Sequence, residues 1–147
     1  MTIVKNTIHL LLCFILFSCG VGNVENVVVS HGPFRVDEAL TEIQCDPPLV
    51  RSRRAASLWV ELACAWEPEP PWDHIVVKGL GNVRVEATLV SSSGAQFEPA
   101  ILGSAGGVLE MRFEPEIPND EKIVLLRLKS SQPLDIRNVS WHNYDPI

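Results

Sequence analysis

The chain is 147 residues long with a formal net charge of −6, and it is 20% charged and 46% apolar. That balance fits a globular domain with one core, not several. It excludes broad recognition of a phosphate backbone, which needs concentrated Lys and Arg, so nucleic acid is not an expected partner.

The beginning of the chain reads as an address. A single cation, Lys5, precedes an almost wholly apolar run over residues 8–17, interrupted only by His9 and Cys13. This is the form of a helical export signal, and it falls well short of the ~20 residues a spanning helix needs. A permanent signal anchor or a buried core helix is the alternative. The stretch Leu16-Phe17-Ser18-Cys19 resembles the lipobox of bacterial lipoproteins, with an aliphatic residue three positions before the cysteine and a small one just before it. The resemblance implies cleavage in front of Cys19 and acylation of its thiol and new amino group by palmitate-type chains. The mature protein would then be held on a membrane of the bacterial envelope. Gly20 stands where an aspartate would signal inner-membrane retention, which implies the outer membrane, facing the periplasm. An ordinary secretory cut competes with this, since Ser18-x-Gly20 also has small residues at the required spacing. The two outcomes differ physically: each buried methylene contributes about 0.8 kcal/mol, and stable anchoring takes more than one chain.

Residues 1–18 are thus read as the signal peptide, 19–26 as a lipid-anchored tether of small and polar residues, and 27–147 as a single domain. With Cys13 in the signal and Cys19 carrying lipid, Cys45 and Cys64 remain as an even pair in an oxidising compartment. A disulfide is expected, with two buried free thiols as the alternative. Closing that loop would contribute on the order of 3 kcal/mol.

Within the domain, Val27, Val28 and Val29 predict a first strand ended by the turn signal His31-Gly32-Pro33. Residues 34–36 and 39–45 are read as strand, with a helical turn from Asp37 as the alternative and Pro47-Pro48 as the stop. Arg51, Arg53 and Arg54 form a dense basic cluster, read as a solvated loop or as a contact to anionic headgroups or an acidic partner.

Residues 58–66 alternate, with Leu58, Val60, Leu62, Cys64 and Trp66 on one face and Trp59, Glu61, Ala63 and Ala65 on the other. Ile43 and Cys45 also share a face, so both thiols are expected to point inward. The prolines of residues 67–72 lack the amide hydrogen a ladder needs, which predicts a stiff polyproline segment outside the sheet. Trp59, Trp66 and Trp72 are the candidate binding residues, because aromatic faces pack on docking partners and on the apolar faces of sugars. Tryptophans that cap the core are the alternative.

Residues 75–78 predict a strand and residues 79–82 a tight turn. Val83, Val85, Ala87 and Leu89 then alternate with Arg84, Glu86 and Thr88, a half-buried strand closed by Ser91-Ser92-Ser93-Gly94. A short strand is expected within 95–102, followed by a flexible loop over 103–107 that matches neither a nucleophile elbow nor a phosphate loop. Leu109, Met111 and Phe113 alternate with Glu110, Arg112 and Glu114, predicting a strand beside 83–89 with Arg and Glu paired across the outer face. Residues 123–128 read as a central strand covered on both sides. Across 134–144 the apolar parity shifts between Ile136 and Val139, which predicts a bulge near Arg137-Asn138.

Asp73-His74 and His142 with Asp145 are the only acid–imidazole neighbours, at no recognised ligand spacing, so no metal and no cofactor is expected. Together these elements predict an all-β domain, an antiparallel β-sandwich of jelly-roll or immunoglobulin-like type. The jelly roll is favoured because Cys45 and Cys64 lie too close in sequence for an immunoglobulin bridge. No nucleophile and base occupy a motif, so no catalytic residue is assigned. The expected function is non-enzymatic: a membrane-held envelope protein in an accessory or protein-interaction role, or a carbohydrate-binding module using Trp59, Trp66 and Trp72.

Overall fold

The computed structural model describes residues 25–146. The signal, Cys19 and the tether up to residue 24 lie outside them. The valine-rich, alternating segments form twelve strands: β1 (Glu25–Val36), β2 (Thr41–Leu49), β3 (Ala55–Leu62), β4 (Trp66–Glu69), β5 (His74–Val77), β6 (Gly81–Val83), β7 (Val85–Ser91), β8 (Gln96–Phe97), β9 (Ile101–Ala105), β10 (Val108–Arg112), β11 (Ile123–Ser130) and β12 (Leu134–Tyr144). They build a five-stranded sheet ordered β1-β12-β3-β10-β9, a four-stranded sheet ordered β2-β11-β7-β8 and a small sheet ordered β4-β5-β6.

The pairing is nested, β1 with β12, β2 with β11, β3 with β10 and β7 with β8, all antiparallel. A long hairpin rolled over itself gives that order, so the β-sandwich is of jelly-roll and not immunoglobulin-like type. The small sheet is inserted between β3 and β7, and β9 is added at one edge.

Strand alternation places one row of each large sheet in a shared core. Leu58 and Val60 of β3, Leu109 and Met111 of β10, and Val139 and Trp141 of β12 join Ala87, Leu89, Leu126 and Leu128 of the opposite sheet. Each such large side chain contributes roughly 1.5–3 kcal/mol on burial. Trp141 is fully buried, tilts against Phe113 at 6.2 Å and donates its indole N–H to the Val50 carbonyl at 3.1 Å.

The predicted bulge is present: the β12–β3 register slips between Ile136 and Asn138. It interlocks with a second slip on β1 between His31 and Phe34, so β1 runs through the predicted turn as one strand. A Cβ on Gly32 would come within 2.5 Å of the Ile136 carbonyl oxygen and closer still to that of Arg137, so only glycine fits between the bulges.

Several expectations are corrected. β10 lies between β3 and β9 and not beside β7, and Arg112 pairs with Glu110 of its own strand at 3.2 Å. Alternation names the face of a strand, whereas its neighbour is set by the rolled topology. Residues 103–105 belong to β9, and the flexible loop reduces to the two-residue turn Gly106-Gly107 with φ of 59° and 84°. Pro68 remains in a sheet because β4 is an edge strand, where a missing donor is tolerated. β11 is central in its sheet, but Val124, Leu125 and Arg127 are only half-buried, so its outer face is not fully covered.

The expected disulfide is absent: Cys45 and Cys64 are free thiols. β3 ends at Leu62 and the chain bends at Ala63-Cys64, held by the Ala63 amide donating to the Asp135 carbonyl at 2.9 Å. The alternation that aimed Cys64 inward therefore stops before reaching it, yet the bend still packs Cys64 half-buried against the core, as expected, without bonding it to Cys45. Burial pushes the Cys45 thiol up to about 11 and raises that of Cys64, so neither is a ready thiolate.

Candidate functional site

The three candidate tryptophans do not converge. Trp59 stands on the outer face of the five-stranded sheet, and Trp66 opens β4 and packs half-buried against the core. Trp72 lies in the β4–β5 turn and is 45% exposed.

Trp72 is held by its backbone. Its amide donates to the Glu69 carbonyl at 2.8 Å, and its own carbonyl accepts from the Leu102 amide at 2.9 Å. Its φ is 68°, a left-handed conformation that a bulky residue rarely adopts. Strain of that kind costs on the order of 1–3 kcal/mol and persists where the surroundings enforce it.

Beneath the indole lies a cleft of about 290 Å³, lined by Trp72, Val85, Ala87, Pro99, Ala100 and Leu102, with Asp73, Arg84, Glu86, Thr88 and Glu98 at its rim. The chain geometry explains it. β8 pairs only with Leu89 and Val90 of β7, and from Glu98 the chain crosses toward the other sheet, where the Ala100 amide donates to the Arg112 carbonyl at 2.8 Å. The sandwich stays open between the first half of β7 and this crossing segment. The floor reaches core residues Val85, Ala87 and Leu102, and the rim is acidic on balance.

Beside the cleft, His74 contacts the Asp73 carboxylate at 2.8 Å and Glu69 at 3.4 Å. The hydrogen bond to Asp73 raises the His74 pKa and lowers that of Asp73. Arg84 reaches Asp73 at 4.0 Å.

The outer face of the five-stranded sheet is built differently. Its register sets Glu110, Trp59 and Ser140 in one transverse row and Arg112, Ser57 and His142 in the next. The Trp59 indole stacks on His142 with ring centroids 3.7 Å apart and donates to Ser57 Oγ at 2.8 Å. Ser140 Oγ shares a hydrogen bond with His142 Nε2 at 2.8 Å, and Glu110, 5% exposed, holds Arg112. Burial lowers the His142 pKa, against an opposing pull from Glu110. Its Nδ1 and the Asn138 Oδ1 are buried without a hydrogen-bond partner. His142 does not meet Asp145, which instead pairs with Arg53 at 3.7 Å.

The basic cluster is partly built into the fold. Arg51 donates to the carbonyls of Ile117, Arg53 and Arg54, which closes its loop around a half-buried guanidinium. Among the described residues no three of His, Cys, Asp and Glu come together in a way that would hold a metal ion.

Alternation already marked Glu86, Thr88 and Arg84 as outward-facing, but nothing local showed that residues 98–102 stand opposite them. No protein-family model matches the sequence, and a search of the curated proteins finds no match.

Proposed function

We propose that the protein is a non-enzymatic binding module of the bacterial envelope, lipid-anchored through acylated Cys19 at the outer membrane and facing the periplasm, which engages an envelope protein through the Trp72 cleft. The cleft carries this reading: an exposed indole on a backbone locked at φ 68°, above an apolar floor ringed by charge. Surface aromatics of this kind are the anchors of protein interfaces. Cys45 and Cys64 enter it only as structural thiols. The test is a photoreactive residue placed in living cells at Trp72, at Ala100 or at Leu40, an exposed position away from the cleft. One defined envelope protein captured from both cleft positions and not from Leu40 supports the reading. Equal capture from all three, or none, overturns it. Cys19→Ser should abolish lipid labelling and release or stall the protein, and unchanged membrane retention would count against the anchor.

A carbohydrate-binding reading has its own support in the cleft. Glu86 and Glu98 supply exposed carboxylates that accept from hydroxyl groups beside the exposed indole. Trp59 and Trp66, half-buried and apart from it, contribute no shared platform. Tryptophan fluorescence titrated with envelope polysaccharides would respond in the native protein and lose that response in Trp72→Ala.

A further inference from the structure

We infer that the open edge of β7 is a docking site for an extended, basic segment of a partner protein, which adds to the four-stranded sheet as a further strand; the inference rests on the cleft being the binding surface. The cleft is lined by four consecutive residues of β7, Val85, Glu86, Ala87 and Thr88, with Arg84 just before them. Successive side chains of a strand point to opposite faces, so a cavity that touches all four must lie along the strand's backbone edge. On that side β8 reaches only Leu89 and Val90, and among the described residues no backbone hydrogen bond meets 85–88 from the cleft.

The opposite wall offers the newcomer little to pair with. The Leu102 amide is taken by Trp72, the Ala100 amide by Arg112, and Pro99 has none. The amides at 99, 100 and 102 of this wall are thus not open to it, and the main-chain groups spaced at the period of a strand are those of β7. A peptide strand matches that spacing in a way a sugar does not. Its alternate residues would face the floor of Val85, Ala87 and Leu102 on one side and the rim on the other. Asp73 is already engaged by His74 and Arg84, so the rim charge left for a newcomer is that of the exposed Glu86 and Glu98, which selects Lys or Arg in the rim-facing row. Native sheets guard open edges against such pairing, and here the guards are acidic, which repels acidic strands and admits basic ones.

The test uses the whole chain in a neutral detergent and three blocked octapeptides: alternating Lys and Val, alternating Glu and Val, and the Lys-Val peptide with every second backbone nitrogen methylated. The Lys-Val peptide should bind, slowing amide exchange within residues 85–88 about tenfold. The Glu-Val and N-methylated peptides should bind at least about tenfold more weakly, and so should Lys-Val to the double variant Glu86→Lys/Glu98→Lys, whose positions are exposed. Binding of the N-methylated peptide as tight as that of its parent, binding without protection of 85–88, or no binding at all would each overturn the inference. An envelope polysaccharide that protects the cleft when the peptides do not makes it a sugar site instead. If cleft crosslinking to one envelope protein persists while the peptides fail, the binding-module reading stands and the added strand falls; if both fail, both fall.

Discussion

Two tryptophans stand on the surface of one sandwich and are held in opposite ways. Trp59 is fixed through its side chain, stacked on His142 and hydrogen-bonded to Ser57 over a row that also contains Glu110. Trp72 is fixed through its backbone, by Glu69 and Leu102, and the residue is left 45% exposed. An aromatic whose ring is already engaged belongs to the fold. One whose main chain is locked while much of its surface stays open is available as a contact, with its backbone already ordered.

The contrast is broken most directly by truncation. Trp59→Ala should destabilise the domain by about 2 kcal/mol in urea unfolding, whereas Trp72→Ala should cost less, about 1 kcal/mol. The reverse order would remove the distinction. Glu110→Ala, which strips Arg112 of its buried partner, should cost about 1–2 kcal/mol, and Glu98→Ala on the open rim almost nothing.

A finer measurement is the pH dependence of unfolding. Burial holds the His142 pKa below its ordinary 6.5, so the unfolded chain binds more protons than the folded one just below that pH. The stability His142 supplies is complete above about pH 6.5 and declines as the pH falls below it, and His142→Phe should flatten that slope. His74 works in the opposite sense and more weakly, being at the surface. Asp73 and Glu69 raise its pKa, so its contribution is complete below 6.5 and is lost as the pH rises through the raised value. A proton titration of the two imidazoles by NMR should place them on opposite sides of 6.5; finding both on one side would erase the smallest part of the comparison.

The face of a strand was legible in the residues because it is a local property. Leu58, Val60 and Leu62 inward with Trp59 outward, the alternation of β7 and the parity slip in β12 all follow from the two-residue period. Neighbours were not legible. Nothing in Glu110 and Arg112 reveals that they lie beside Trp59 instead of beside Glu86, since only the rolled order of strands decides it. The cleft was half legible: Trp72 and the outward Glu86 are readable as candidates. The left-handed turn under Trp72 contradicts its residue type, and the wall at 98–102 is supplied from across the sandwich. The cysteine pair misled because an even count in an expected oxidising compartment carries no information on distance: both side chains pack toward the core, and the thiols stay free.

The nested pairing of β1 with β12 also carries a consequence for the order of events during folding. β12 is the last strand, yet it sits between β1 and β3 inside the largest sheet. Contacts between such distant segments form late, because the entropy of closing the intervening loop opposes them before they reward it. Until residues from Leu134 onward pair, β3 lacks one neighbour and β1 has no partner in its sheet. Insertion of β12 between β1 and β3 is therefore the step that joins the edge strand to the rest of the five-stranded sheet.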